Sequence, residues 1–367
     1  MTQSGRLLSL DIMRGITIAG MIMVNNPGSW SNVYAPLRHA AWDGLTPTDL
    51  VFPFFMFIMG VSMFISLRKY DFEPTNECVT KILKRTVLIF LVGFGLNLFS
   101  FLMRNGFNNF ENLRILGVLQ RLAIVYGAGS LIGVLINHKY LLHTIIGILV
   151  FYAALLGLTN STILSEGNII AVVDRAILGT SHMYSDTLAD GTRIPFDPEG
   201  LLSAIGSVAH VLIGFYAGKL ILDSKKDNER IIRNLFILGT ILAFSGLLLD
   251  YGFPINKKIW SSTFVLTTCG LASLLLGLLI WIIDINKKKN WSKFFEAFGI
   301  NPLYLYVQAA ILATVFSMIG FSSFMYNDVF VPVFGSYGAS LAWALFFVFL
   351  NWIPGYFLYK KQVYIKL

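Results

Sequence analysis

Residues 39–53, HAAWDGLTPTDLVFP, place a histidine, a tryptophan and two aspartates directly ahead of the apolar run FFMFIMGVSMFISL. A neutral imidazole that a carboxylate polarises can act as a general base or as a nucleophile near neutral pH. His39 is therefore a candidate catalytic residue, and either Asp43 or Asp49 is a candidate to orient its ring, as in a catalytic triad. A second interpretation is also open, in which His39 and Trp42 lie at a membrane interface and Asp49 caps the following helix.

Asp11 and Arg14 are ionisable residues inside the first apolar segment, LLSLDIMRGITIAGMIMVNN. Their spacing of three places them on one face of a helix, where they could neutralise each other. Ionisable residues within apolar segments also commonly face a cavity or a ligand. In that interpretation Arg14, together with Arg6, meets an anionic ligand that enters from the cytoplasm.

Two further sets of polar residues lie in or beside predicted helices. Gln120 and Arg121 end the stretch LRILGVLQR, and a buried guanidinium is a planar fork suited to phosphate or carboxylate, although it could instead pair with Asp11. Asn301 opens a later helix as a cap or as part of an anion site, with Lys293 just upstream. Together these residues predict a cationic pocket that extends from the cytoplasmic side into the protein and suits a phosphate-bearing ligand.

The composition indicates the class of protein that positions these residues. Of the 367 residues, 56% are hydrophobic and only 13% are charged, and the apolar residues form blocks of about 20, the length of a membrane-spanning helix. We therefore predict an all-α, polytopic membrane protein with a single domain over residues 1–367. No basic stripe with interleaved aromatics indicates nucleic-acid binding, and neither cysteine has metal-ligand spacing, so we predict no metal.

Ten segments are predicted to span the membrane, each bounded by polar or Pro- and Gly-containing stretches. They lie near residues 8–24, 48–67, 82–103, 114–137, 140–159, 201–222, 232–250, 262–283, 299–319 and 338–359.

The positions of lysine and arginine predict how these segments are oriented. If both termini are cytoplasmic, 20 of the 28 basic residues lie on the cytoplasmic side, as the positive-inside rule requires. The opposite face then receives His39 and the loops near residues 25–47, 160–200, 251–261 and 320–337. The second of these loops is the longest connection, and long loops in compact proteins are often functional.

At these motifs the sequence resembles the heparan-α-glucosaminide N-acetyltransferase family. The resemblance rests on several motifs in a fixed order, and it covers nearly the whole chain: RLLSLDIMRGITIAGMIMVNN, RHAAWDGLTPTDLVFPFFMFIMGVS, LRILGVLQRLAIVY, DPEGLLSAIGSVAHVLIGFYAGK, PINKKIWSSTFVL and FGINPLYLYV.

The resemblance implies transfer of an acetyl group from cytoplasmic acetyl-CoA to a glucosamine amine at the opposite membrane face. It implies that His39 is the catalytic histidine and that Asn25 lies beside the acetyl thioester. It also implies that the coenzyme A site is lined by Arg6, Asp11, Arg14, Gln120, Arg121 and Asn301. A direct transfer with His39 as general base and a two-step transfer through acetyl-histidine are both open.

For the sugar acceptor, Trp42 and Trp260 could stack on a ring face, and Asp197 and Glu199 could hold an ammonium group. Interfacial anchoring is the alternative for each tryptophan, and helix capping for the two acids.

The lysosomal family member has a further luminal N-terminal portion, whereas this chain starts at RLLSLD, which favours a multi-pass enzyme of the bacterial cytoplasmic (inner) membrane. The resemblance also suggests a homodimer. Two other functions remain open: a membrane O-acyltransferase of surface polysaccharide, and a transporter of sugars or peptidoglycan fragments, although no repeated pair of broken helices is evident.

Overall fold

The computed structural model describes residues 7–188, 190–224 and 227–365, and most of these are helical. The helices are α1 (Leu8–Val24), α2 (Pro47–Leu67), α3 (Asn76–Asn105), α4 (Val118–Leu135), α5 (Leu141–Leu158), α6 (Ile169–Leu178), α7 (Ala204–Asp223), α8 (Asn228–Leu249), α9 (Ser262–Leu279), α10 (Lys293–Ile300), α11 (Pro302–Met318), α12 (Phe321–Phe324) and α13 (Val331–Lys360). A short antiparallel hairpin joins β1 (Ser185–Thr187) to β2 (Arg193–Pro195).

The helices account for the predicted spans. Within the described residues, eight helices are long and apolar enough to cross a membrane, and the pair Asn290–Ile300 and Pro302–Met318, bent by 78°, makes nine if it is one span. The remaining predicted segment is α1, which has 17 residues and carries Asp11 and Arg14. The predicted all-α, polytopic architecture is therefore confirmed, and its count of about ten agrees roughly.

Two predicted loops contain more regular structure than the sequence indicated. The loop predicted at 160–200 holds α6 and the β1–β2 hairpin. The one predicted at 320–337 is largely helical: α12 continues through a π-helical turn, Met325–Phe330, into α13. A break follows at Gly335, whose φ of +66° suits a residue without a side chain, and the regular part of α13 begins beyond it.

Glycines allow the helices that carry the polar residues to pack closely. A Cβ added to Gly15 of α1 would lie 1.8 Å from the carbonyl oxygen of Phe295 in α10, and one on Gly60 of α2 would lie 2.1 Å from that of Val211 in α7. Small residues at helix interfaces bring backbones together in membrane proteins. These two contacts fix α1 against α10 and α2 against α7.

Helix α2 connects the two regions that matter for function. Its first turn follows the loop that carries His39, and we call this end of the bundle the His39 end. Its last turn is followed by a short connection to α3, whose second turn carries Lys81, and we call this end the Lys81 end. At 1.5 Å per residue, the distance from Asp49 to Leu67 along the helix is about 27 Å, close to the thickness of a bilayer core.

Candidate active site

His39 contacts a buried carboxylate at the start of α2. Its Nδ1 lies 2.6 Å from Oδ1 of Asp49, whose side chain is fully buried, whereas the histidine side chain is 42% exposed. Because Nδ1 is engaged by Asp49, Nε2 is the nitrogen left to meet a substrate. The pair has the orienting contact that general-base catalysis by histidine requires.

The second oxygen of Asp49 holds the loop that carries His39. Its Oδ2 accepts the backbone N–H of Ala40 at 3.0 Å and that of Thr46 at 3.2 Å. Thr46 and Asp49 also form a capping box at the start of α2. Asp49 therefore has both of the roles considered from the sequence. Its Oδ2 caps α2, and its Oδ1 contacts His39.

Lys257 is a third member of this group, and it was not predicted from the sequence. Its Nζ lies 3.0 Å from Nδ1 of His39 and 3.3 Å from Oδ1 of Asp49. Burial lowers the pKa of Lys257, while the negative charges of Asp49 and Glu199 act in the opposite direction. The available signal was a pair of adjacent lysines, Lys257 and Lys258, on the face predicted to be poor in basic residues.

Asp197 and Glu199 form an ion-pair network with Arg114, which lies in the segment before α4. Arg114 contacts Asp197 through two bonds of 2.9 and 2.6 Å, and contacts Glu199 at 2.7 Å. Burial disfavours the charged guanidinium, but the two carboxylates outweigh it and raise the pKa of Arg114. Asp197 is fully buried, whereas Glu199 is partly exposed.

The other residues predicted near the acceptor lie in different surroundings. Asp43 accepts from the side-chain amide of Asn256 at 3.1 Å, so Asp49 rather than Asp43 orients His39. Trp42 is half-buried: its indole N–H donates to the Thr162 carbonyl at 2.8 Å. Trp260 is 1% exposed, and its ring packs inside the bundle rather than at a surface where a sugar could stack on it.

Asn25 ends α1 at the His39 end, where its backbone N–H caps the helix. Its side chain is exposed. Asn25 begins the loop that joins α1 to α2, and His39 lies later in the same loop. Both residues are therefore at the His39 end of the bundle.

A cavity of about 480 Å³ opens at the Lys81 end, within the size range of ligand sites. Its basic lining residues are Arg14, Lys69, Lys81 and Arg85, and the described lining residues include no carboxylate. The deeper walls are apolar and reach Met21 of α1 and Phe55 of α2. Phe55 is six residues beyond Asp49, or about 9 Å along the helix, so the cavity extends from the Lys81 end toward the His39 site.

The structure brings only part of the predicted donor pocket to this cavity. Arg14 lines it and forms the predicted contact with Asp11 at 3.1 Å, with a further bond to Ser62 of α2 at 2.8 Å. Arg6 lies outside the described residues. Three further basic side chains line the cavity and were not predicted from the sequence: Lys69, Lys81 and Arg85.

Gln120 and Arg121 are buried away from the cavity lining. Gln120 donates to the Ile115 carbonyl at 2.9 Å. Arg121 donates to the Gly200 carbonyl at 3.1 Å and to the Ser203 hydroxyl, and packs over the Trp260 ring. No carboxylate hydrogen-bonds to Arg121 among the described residues, so the alternative pairing with Asp11 is not formed. Gln120 thus holds the segment before α4, and Arg121 holds the segment before α7.

Lys293 and Asn301 also make no part of the described cavity lining. Lys293 is exposed at the start of α10. The side chain of Asn301 holds the C-terminal segment: its amide donates to the Val363 carbonyl and its oxygen accepts from Ile365 N–H, each at 2.8 Å. Because Ile365 lines the cavity, Asn301 affects it indirectly.

Comparisons with known proteins identify the family to which the chain belongs. A family model described as "Heparan-alpha-glucosaminide N-acetyltransferase, catalytic" matches residues 6–247. The human heparan-alpha-glucosaminide N-acetyltransferase is 30% identical over 352 residues, which cover 82% of this chain and 52% of the human protein. The mouse protein of the same name is 28% identical over 365 residues, covering 86% and 55% respectively. The chain thus spans about half the length of these relatives, and it belongs to the heparan-alpha-glucosaminide N-acetyltransferase catalytic family.

Proposed function

We propose that this protein transfers an acetyl group from acetyl-CoA, bound in the cavity at the Lys81 end, to the amine of a glucosamine-type sugar at the His39 end. The observation that carries the proposal is the contact between His39 and the buried Asp49 at the start of α2, 2.6 Å long. The far end of the same helix borders the cation-lined cavity. One helix thus connects a candidate base with a candidate donor site.

The cavity suits the donor chemically. Acetyl-CoA combines phosphate groups with a less polar arm that ends in the acetyl thioester. The cations at the cavity mouth could pair with the phosphates, and the apolar inner wall near Met21 and Phe55 could receive the arm. This assigns Lys69, Lys81 and Arg85 to the donor site beside Arg14.

In the reaction, Nε2 of His39 would take a proton from the acceptor amine while the amine nitrogen forms a bond to the acetyl carbon. The carbon–sulfur bond breaks, and His39 returns the proton to the departing thiolate. The products are the N-acetylated sugar and coenzyme A, so atoms and charges balance. Asn25 is proposed to donate a hydrogen bond to the oxyanion that develops on the acetyl group.

A two-step route remains an alternative within this proposal. Nε2 of His39 would then attack the acetyl carbon, and the carbon–sulfur bond would break to release coenzyme A as its thiolate. The acceptor amine would take the acetyl group from Nε2 and lose its proton to the thiolate, which restores the neutral imidazole. Incubation with radiolabelled acetyl-CoA in the absence of acceptor distinguishes the routes: a label bound to His39 supports the two-step route, and its absence under single-turnover conditions supports direct transfer.

We further infer that the Lys81 end faces the cytoplasm, with both termini on that side, and that the protein lies in the bacterial cytoplasmic membrane. The distribution of lysine and arginine supports the orientation. The donor cavity then opens to the compartment that supplies acetyl-CoA, and His39 faces the opposite compartment.

The test is an acetyl-transfer assay with purified protein, acetyl-CoA and glucosamine. We expect His39→Ala to lose at least about 100-fold in kcat, because the general base is removed. His182→Ala is the matched control, since His182 lies at the same end, where its ring hydrogen-bonds to the Leu113 carbonyl rather than to a carboxylate, and we expect it to retain activity.

Three outcomes would contradict the proposal, one in this assay and two in the same assay extended to glucose and to protein reconstituted in vesicles. Full activity in His39→Ala would remove the histidine from the reaction. Acetylation of glucose hydroxyls in preference to the glucosamine amine would favour an O-acyltransferase. Uptake of sugar into vesicles without consumption of acetyl-CoA would favour a transporter.

A further inference from the structure

Lys257 occupies a position that conflicts with a simple histidine–aspartate pair. Nδ1 of His39 lies 2.6 Å from Oδ1 of Asp49 and 3.0 Å from Nζ of Lys257. A single ring nitrogen cannot donate a hydrogen to the carboxylate and accept one from an ammonium group at the same time. Only one of the two contacts can therefore be a hydrogen bond in any one protonation state.

The shorter contact decides which bond forms. At 2.6 Å, an unprotonated Nδ1 would place its lone pair against the lone pairs of Oδ1, whereas a protonated Nδ1 donates a short, charge-assisted hydrogen bond. Nδ1 therefore carries the hydrogen. Lys257 then donates to Oδ1 of Asp49, 3.3 Å away, and lies beside the ring as a neighbouring positive charge.

Asp49 has two effects on the ring that oppose each other in catalysis. Its hydrogen bond fixes the hydrogen on Nδ1 and leaves Nε2 as the basic nitrogen, but its negative charge also favours a doubly protonated ring that cannot accept a proton. A cation beside the carboxylate offsets the negative charge that favours the doubly protonated ring, but it leaves the hydrogen bond to Nδ1 in place. Lys257 is the charged group in the described structure that lies within 3.3 Å of both partners.

We propose that Lys257 is a positioning residue of the active site, which balances the charge of Asp49 so that His39 is oriented by the carboxylate but remains neutral. The same cation disfavours a protonated acceptor, since an ammonium beside Lys257 is repelled and only the neutral amine can attack the thioester. This inference rests on the proposed acetyl transfer and assigns a specific task within it.

The surrounding charges support a fixed cation at this position. The negative charges of Asp49 and Glu199 both act on Lys257, and Glu199 in turn pairs with Arg114 at 2.7 Å. Lys257 thus forms an ion pair with Asp49, and Glu199 forms one with Arg114. The negative charges of Asp49 and Glu199 both favour the charged form of Lys257.

The neighbouring lysine provides a matched control. Lys258 pairs with Asp186 of the β1–β2 hairpin at 2.5 Å and lies over the Trp42 ring. Its substitution alters the same loop and removes the same charge, but it leaves the contacts of His39 with Asp49 and Lys257 in place.

The experiment measures kcat/KM for acetyl transfer to glucosamine between pH 5 and pH 9 in wild type, Lys257→Met, Lys257→Arg and Lys258→Met. In Lys257→Met, we expect the acid limb of the profile to move to higher pH by roughly one unit, with the loss of rate largest at low pH and smaller above pH 8. Lys257→Arg keeps the charge and should restore the position of the limb.

We expect Lys258→Met to leave the acid limb where the wild type has it, even if its rate is lower at every pH. An unshifted limb in Lys257→Met, with a uniform loss of activity, would mean that Lys257 only supports the loop, and the inference would be wrong while acetyl transfer stands. Absence of acetyl transfer by the wild-type protein would instead contradict the proposed function itself.

Discussion

At the scale of single residues, the two oxygens of Asp49 have separate tasks. Oδ2 closes the loop before α2 by accepting the N–H groups of Ala40 and Thr46, and Oδ1 contacts His39. A buried carboxylate normally costs free energy unless such partners offset the loss of solvent. Because both tasks depend on one side chain, the position of the loop and the orientation of the imidazole are linked.

Replacement of Asp49 by asparagine tests the orienting contact. Asparagine can still accept a hydrogen bond through Oδ1, but its amide could turn toward His39 and favour the wrong tautomer, so we expect kcat for acetyl transfer to fall by at least about 100-fold. Asp43→Asn is the control, because Asp43 contacts Asn256 rather than His39. Equal losses in the two variants would show that the carboxylate of Asp49 does not orient the base.

At the scale of the elements, a side chain of α6 holds the backbone just before α7. Oδ1 of Asp174 accepts the backbone N–H groups of Leu201 at 2.9 Å and Leu202 at 3.1 Å. Its Oδ2 is buried and has no hydrogen-bond partner within the described residues. Asp174 thereby holds the segment that carries Glu199.

The stability of this junction should depend on pH. Burial raises the pKa of Asp174 to about 6, against the opposing effect of its backbone hydrogen bonds. A carboxyl group whose pKa is raised on folding stabilises the fold below its ordinary pKa of 3.8, and this contribution is lost as pH rises through about 6.

We therefore expect Asp174→Asn, which retains an acceptor but no charge, to gain in melting temperature relative to the wild type as pH increases from 4 to 7. Thermal unfolding of the detergent-solubilised protein measures the difference. Asp174→Ala, which loses the acceptor, should be destabilised throughout this range. A difference between wild type and Asp174→Asn that does not change with pH would show that the carboxyl group does not titrate in this interval.

The features that the sequence could predict depend on local patterns. The spanning segments follow from runs of apolar residues. Asp49 lies only ten residues after His39, in the same motif, and Asp11 and Arg14 lie one helical turn apart. The loop at 320–337 was predicted incorrectly because its break at Gly335 is a single residue within helical turns.

The features that could not be predicted depend on packing between distant segments. Lys257 reaches His39 from 218 residues away. Lys81 and Arg85 line the cavity only because α3 packs against α4. Arg121 was expected at a phosphate site, but it donates its hydrogen bonds to Gly200 and Ser203, in the turn before α7.

At the scale of the whole molecule, the proposed site has two ends, which we propose face different compartments. The cavity basic residues gather at the Lys81 end, whereas His39, Lys257 and Glu199 gather at the other, about 27 Å away along α2. A protein that holds donor and acceptor on opposite sides of a membrane needs this separation. The apolar inner wall of the cavity, which reaches Phe55, is where the thioester would approach the histidine.

The most direct measurement of this account is acetyl transfer across a sealed membrane. Proteoliposomes with the Lys81 end outward receive impermeant acetyl-CoA outside and a glucosamine oligosaccharide inside, and His39→Ala vesicles serve as the control. We predict that N-acetylated sugar accumulates inside while free coenzyme A appears outside. Acetylation that occurs only when both substrates are on the same side of the membrane would contradict the account.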